Sequence, residues 1–237
     1  MNGQSVGSTR TPPRTRQTPI LDQLTPAARE SFLQCTQERD LPKNTIVFYQ
    51  GQPHIETYLV KTGLMRTYHL AANGREVTLA YWSDGDIVGG PDFFNTCPHI
   101  WCAKTMQPTT VFAIAGSDLL SLSYEVPEVA HALIEALTFK THWLSLLVQM
   151  HNTQSVSERV TFLLVKLDEM YGVDHPDGRM LRYRFTQEDL ATMVGTSRQW
   201  MCHTLHQLES EGLLSVRDRH IVIHHPENLA HAQIPHA

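Results

Sequence analysis

At 237 residues, with 41% hydrophobic residues and a formal net charge of −5, the chain is long enough for two packed domains and too short for three of average size. No run approaches the roughly 18 to 20 uninterrupted apolar residues of a membrane span, and the N-terminus lacks the apolar core of an export signal, so a cytoplasmic protein without a membrane partner is expected. Cys35, Cys97, Cys102 and Cys202 show none of the close pairing of zinc modules and read as free thiols rather than a disulfide framework.

Residues 1 to 19, rich in Ser, Thr, Pro, Gln and Arg, have almost no apolar anchors and read as a disordered tail. A short amphipathic helix follows, with Pro26 in its first turn and Phe32 and Leu33 on the apolar side. From Leu41 to about Ser121 the pattern changes to short β-branched and aromatic runs closed by Gly, Pro or Asn. They are Thr45 to Tyr49, Thr57 to Val60, Leu64 to Leu70, Val77 to Trp82, Trp101 to Met106 and Thr110 to Ile114. Their regular spacing predicts a β-barrel or jelly roll with helices at its edges, and Asn73-Gly74 marks a hairpin turn.

From Pro127 to Asn152 no Gly or Pro interrupts a helical pattern. Leu133, Leu137, Leu144, Leu147 and His151 form one heptad-like seam, interrupted by Lys140. Phe139, Trp143, Leu146 and Met150 form a second face. Two apolar faces on one helix predict docking on the roll by one and pairing with a second subunit by the other. Ser155 to Met170 reads as another helix, with Ser155 and Glu158 as a capping box, followed by a His175-Pro176-Asp177-Gly178 turn and a strand over Met180 to Phe185.

Thr186 with Asp189 three residues later opens a short helix whose inward face is Leu190, Met193 and Val194, and Gly195 ends it. A second helix opens at Thr196 or Ser197, with Met201, Leu205 and Leu208 inward and Arg198, Gln199, Cys202 and His203 outward. Outward polar residues near the start of a second helix meet base edges in the major groove. Leu213 to Val216 and Ile221 to Ile223, joined by Arg217-Asp218-Arg219-His220, predict a hairpin wing with Arg217 and Arg219 over phosphates. Residues 179 to 225 carry six Arg against five carboxylates, a local excess of +1 despite the acidic whole. The expected readers of double-stranded DNA are thus Ser197, Arg198, Gln199, Cys202, His203, Arg217 and Arg219.

These residues, with Gly51, Gly63 and Gly74, the Gly85-Asp86-Ile87-Val88-Gly89 run, and Arg159-Val160, resemble the Crp/Fnr family of bacterial transcription regulators from Leu21 to Ile223. The resemblance implies an α+β protein: an N-terminal β-roll or jelly roll of the cyclic-nucleotide-binding type, a long dimerisation helix and a C-terminal winged helix-turn-helix. The divisions are residues 20 to 126 for the sensor, 127 to 154 for the dimer helix and 155 to 230 for the DNA-binding domain. It implies a homodimer on a palindromic operator, acting as activator or repressor. By the same likeness Arg198 reads guanine and Gln199 adenine. Many family members have Glu at the position of Gln199 and Arg at that of His203, so a different half-site is expected. His175-Pro176-Asp177-Gly178 resembles the loop that touches RNA polymerase, although a plain turn explains it equally well.

The cAMP-binding members hold the ribose and cyclic phosphate with a Glu and an Arg-Ser pair, and the aligned positions here are Gly90, His99 and Ile100. With no cation at that point, cAMP is not the expected effector. The resemblance assigns an effector pocket of Gly89, Gly90, His99, Ile100, Thr105 and Ser145 for an unknown small molecule. Residues 1 to 34 contain no Cys, which rules out the N-terminal iron–sulfur cluster of the oxygen sensors. Cys97, His99 and Cys102 remain candidates for haem ligation or thiol redox; otherwise no metal site is expected and any cofactor is unknown. Two rivals are an enzyme built on the roll, for which His54, His69 and His99 lack metal-ligand spacing, and a non-catalytic regulatory subunit binding a partner protein through the roll.

Overall fold

The structure, a computed structural model, describes residues 18–90, 92–94, 97–218 and 220–229; the tail expected over residues 1 to 19 falls almost wholly outside the described residues. After a short 3₁₀ turn (Ile20–Gln23), helix α1 (Pro26–Gln34) starts where Thr25 Oγ1 accepts from the Ala28 amide and Pro26 occupies the first turn. Phe32 is fully buried, as expected for its apolar side.

Eight strands then form the roll: β1 (Gln37–Leu41), β2 (Ile46–Phe48), β3 (Glu56–Thr62), β4 (Leu64–Leu70), β5 (Glu76–Ser83), β6 (Ile87–Val88), β7 (Cys102–Thr105) and β8 (Thr109–Ala115). They make two antiparallel four-stranded sheets, ordered β1-β8-β3-β6 and β2-β7-β4-β5. Between β3 and β4, Gly63 has φ +118°, and a Cβ there would come within 2.7 Å of the Thr109 Cα, so only glycine fits. Three features differ from the sequence expectation. The strand β1 was read as lying outside the β region because its Gln-Glu-Arg-Asp side chains are largely exposed. The strand β6 has only two residues. Helix α2 (Gly116–Glu125) begins after the last expected strand but inside the region assigned to the roll, which therefore ends earlier than Ser121.

Helix α3 (Pro127–Thr153) crosses the roll, and α4 (Val156–Tyr171) follows it through the capping box of Ser155 and Glu158. Next come β9 (Gly172–His175), β10 (Gly178–Leu181), α5 (Gln187–Val194), α6 (Arg198–Ser210), β11 (Leu214–Arg217), β12 (His220–Ile223) and α7 (Pro226–Leu229). The wing is larger than the hairpin read from sequence: a four-stranded sheet ordered β11-β12-β10-β9. The architecture is α+β, with a β-roll, a long helix and a winged helix-turn-helix.

Helix α3 does not divide into the two faces read from its sequence. Leu133 and Leu147 of the first seam are buried within the chain, together with Trp143 and Met150 of the second. The exposed apolar residues are Leu144 of the first seam together with Ile134 and Val148, which belong to neither face and are each 62% exposed. Ile134, Thr141 and Val148 recur every seven residues, interleaved with exposed Thr138, Ser145 and Asn152, so the free face is a heptad stripe one residue out of phase with the expected seam.

The strand β5 is the edge of its sheet, and side chains from the helices satisfy its outer carbonyls. Trp143 Nε1 donates to Leu79 O and the Tyr171 hydroxyl to Tyr81 O, both at 2.8 Å. Thr78 and Thr192 of α5 are hydrogen-bonded at 2.7 Å, and Arg66, buried beneath them, pairs with Glu76 at 2.6 Å. One buried apolar cluster therefore runs from Phe48 and Met65 in the roll through Tyr81, Tyr171 and Phe185 to Leu190, Leu205 and Ile221.

Candidate nucleic-acid interface

Local sequence builds the helix-turn-helix. The Thr186 amide donates to Asp189 Oδ2 at 2.9 Å, and the Asp189 amide to Thr186 Oγ1 at 3.1 Å, closing the capping box of α5. Leu190, Ala191, Met193 and Val194 face the core. Gly195 takes a left-handed φ of +75° at the end of α5, and the Thr196 amide turns back to Ala191 O at 3.0 Å. Ser197 then caps α6, its Oγ accepting from the Trp200 amide at 3.1 Å.

On α6, Met201, Thr204, Leu205 and Leu208 are buried, while Arg198, Gln199 and His203 are exposed and Cys202 is half-buried. The structure thus brings Ser197, Arg198, Gln199, Cys202 and His203 onto the start and outer side of one helix, and His206, overlooked in the sequence, extends that side by one turn. Glu209 Oε1 accepts from the Val216 amide at 3.1 Å and ties the far end of α6 to the wing. The wing turn passes through Asp218, with φ +50°. Arg217 is exposed at the wing end and meets Asp177 at 3.4 Å, whereas Arg219 lies outside the described residues.

Arg184, also overlooked, donates from Nε to His220 Nε2 at 3.0 Å, and His220 Nδ1 donates to Leu181 O at 3.2 Å. The turn His175-Pro176-Asp177-Gly178 joins β9 to β10, and the Asp177 carbonyl accepts from His224 Nδ1 at 2.7 Å, so it abuts the wing sheet.

In the roll, His99 stacks on Phe48 with ring centroids 3.7 Å apart and meets His54 at 4.2 Å. Both imidazoles are buried, and among the described residues His99 Nδ1 has no hydrogen-bond partner. Burial and the neighbouring His54 push the His99 pKa down to about 4; burial also lowers that of His54, against the pull of Asp92. A Cβ on Gly89 or Gly90 would sit 3.4 and 3.5 Å from the His54 ring nitrogens, so these glycines line the same spot. Ile100 is 53% exposed, Thr105 donates its hydroxyl to Pro42 O, and Ser145 is exposed on the outer stripe of α3. Cys97 is exposed and Cys102 buried, its sulfur accepting from the Gln50 amide; among the described residues no three His, Cys, Asp or Glu side chains gather to hold a metal ion.

No helix among the described residues is long and apolar enough to cross a membrane. The family model of the Crp-like helix-turn-helix domain matches residues 158–232, and that of the cyclic nucleotide-binding domain residues 38–124. The chain is 27% identical over 196 residues to the Cyclic AMP receptor protein of Thermus thermophilus, covering 83% of this chain and 88% of that one. It is 26% identical over 208 residues to the Anaerobic regulatory protein of Bacillus subtilis, covering 83% of each. Two solved structures share the fold, each with a TM-score of 0.74. They are a CooA mutant from Carboxydothermus hydrogenoformans (22% identity, 84% of this chain and 88% of that one) and the c-di-GMP responsive global regulator CLP of Xanthomonas campestris (24% identity, 85% and 100%). These relatives are regulators rather than enzymes, and the roll, the long helix and the winged helix lie in the same order here. The chain belongs to the Crp/Fnr family of DNA-binding transcription regulators.

Proposed function

We propose that the chain works in the cytoplasm as a homodimeric, sequence-specific regulator that reads a palindromic duplex under a signal sensed in the roll, the signal being something other than cAMP. The free outer side of α6, with Arg198, Gln199 and His203 exposed beside the Ser197 cap, is the observation that carries this reading. Arg198 reads guanine with its fork of donors, Gln199 reads adenine, and Cys202 and His203 tune the neighbouring steps. Arg217 and Arg219 at the wing end hold phosphates.

The heptad stripe of Ile134, Thr141 and Val148 supports pairing with a second copy, which sets two recognition helices on half-sites one turn of DNA apart. On this reading residues 20 to 126 sense, 127 to 154 pair, and 155 to 230 bind DNA. Where the cAMP-binding members place a cation for the cyclic phosphate, this chain has the buried, neutral pair His54 and His99, which offers no charge to an anion. The turn from His175 to Gly178, exposed beside the wing, is the face offered to RNA polymerase.

Selection of duplexes from a random-sequence library by the full chain, followed by footprinting, tests this function. Enrichment of a dyad-symmetric site, with affinity unchanged by millimolar cAMP, is the expected result. Failure to enrich any site overturns the regulator; an enriched site without dyad symmetry overturns the dimer; tightening by cAMP overturns the assignment of the signal.

A further inference from the structure

Every α-helix leaves its last carbonyls without helical partners, and two such ends meet beside the recognition helix. Helix α3 ends at Thr153, close to the start of α4, and α5 ends at Val194, one residue before the turn at Gly195. Arg159, on the first turn of α4, serves both ends. Its Nε donates to Gln154 O at 3.1 Å and its Nη2 to His151 O at 3.1 Å, while Nη1 donates to Val194 O at 3.3 Å.

His151 adds a fourth tie. Its Nε2 donates to Met193 O at 3.2 Å, and its Nδ1 accepts from Arg159 Nη1 at 3.4 Å. An arginine only donates and a carbonyl only accepts, so the imidazole is neutral with its proton on Nε2. A Cβ on Gly195 would lie 3.3 Å from His151 Cε1, so the ring also presses against the turn itself. The guanidinium between two helix C-termini opposes the partial negative charge of both.

We infer that Arg159 and His151 are positioning residues for DNA reading: they fasten the end of α5, and hence the turn that launches Ser197 and Arg198, to the end of the long helix α3. Neither is on the outer side of α6. Their effect on DNA is carried by the angle and height at which α6 leaves the turn, which decides whether Arg198 and Gln199 reach base edges. Phosphate contacts tolerate a small misplacement; bidentate base contacts do not.

The inference rests on the proposed reading of DNA by α6, and the test compares variants with a wild-type protein that has already selected its duplex. Full-length His151→Leu, Arg159→Lys and His151→Gln are titrated against that duplex and against poly(dI-dC), with melting temperature and dimer mass measured in parallel. His151→Leu and Arg159→Lys should each lose about tenfold in affinity for the selected duplex, with binding to poly(dI-dC) and dimer mass unchanged. His151→Gln, whose amide can donate to Met193 O and accept from Arg159, should stay within about threefold of wild type. Unchanged affinity for the selected duplex in the first two variants overturns the inference, and so does an equal loss on both duplexes. Failure of the wild type to select any duplex would instead remove the underlying function.

Discussion

The ε-ammonium of Lys140 lies 3.7 Å from the centroid of the Trp82 ring and donates to Ile87 O at 2.7 Å, so the middle of α3 is pinned to the strand that leads into Gly89 and Gly90. Burial pulls its pKa down to about 7, with Asp86 pulling the other way. The unfolded chain keeps an ordinary lysine, so between about pH 7 and 10.5 it binds the proton that the native state sheds, and stability rises with pH across that window.

Lys140→Met should therefore flatten the pH dependence of urea unfolding between pH 7 and 10. At pH 7 it should stabilise the protein by about 1 to 2 kcal/mol, because the cost of burying the ammonium outweighs the pull of Asp86 and a hydrophobe of similar length avoids it. A loss of stability of that size would mean that the Trp82 face and the Ile87 carbonyl more than offset the desolvation of the ammonium.

His54 and His99 impose a second pH dependence, on the acid side. The unfolded chain protonates near the ordinary histidine value of 6.5, while the folded pair resists charge down to about pH 4 at His99. Stability is then lost as pH falls from about 6.5 to 4 and levels off below, by roughly 3 kcal/mol. His99→Phe keeps the stack on Phe48 and should remove most of that slope; an unaltered slope in thermal melts between pH 7 and 4 would place the titration elsewhere.

These sites were not equally legible in the sequence. The capping box of Thr186 and Asp189, the Gly195 turn and the Ser197 cap are made within four residues each, and local chemistry declares them. The strand β1 was hidden because it is an edge strand whose polar side chains largely face solvent. Helix α3 is apolar on most sides, and hydrophobic period alone cannot separate burial against the roll, as at Leu133, from burial against a second chain, as proposed for Val148. His54 meets His99, and Arg159 meets Val194, across long stretches of sequence that carry no mark of the contact.

The heptad stripe on α3 makes a quantitative demand on the dimer. Val148→Asp puts an unpaired carboxylate where two copies would pack, and should weaken association by about a hundredfold or more. Sedimentation at micromolar concentration should show the monomer mass, with the far-UV circular dichroism of the folded chain retained and a melting temperature lowered by the loss of the partner. Tyr124→Asp, at a still more exposed position off the stripe, should leave the mass alone. A Val148→Asp protein that stays dimeric would move the interface off this face.

At the recognition helix, Arg198 is exposed next to the Ser197 cap and, among the described residues, its side chain makes no hydrogen bond or ion pair that a substitution would orphan. Arg198→Ala therefore leaves the fold intact, since the cap is made by Ser197 and the buried side of α6 by Met201, Leu205 and Leu208. A bidentate contact to guanine O6 and N7 is worth about 1 to 3 kcal/mol of discrimination. The variant should lose that much affinity for the selected duplex and also lose its preference at one symmetric pair of base positions. A phosphate contact from the same residue would behave differently, weakening all sequences alike and lowering the salt dependence. Titration against a panel of single-base substitutions at two salt concentrations separates them: uniform weakening across the panel would make Arg198 a backbone anchor and leave the base reading to Gln199 and His203.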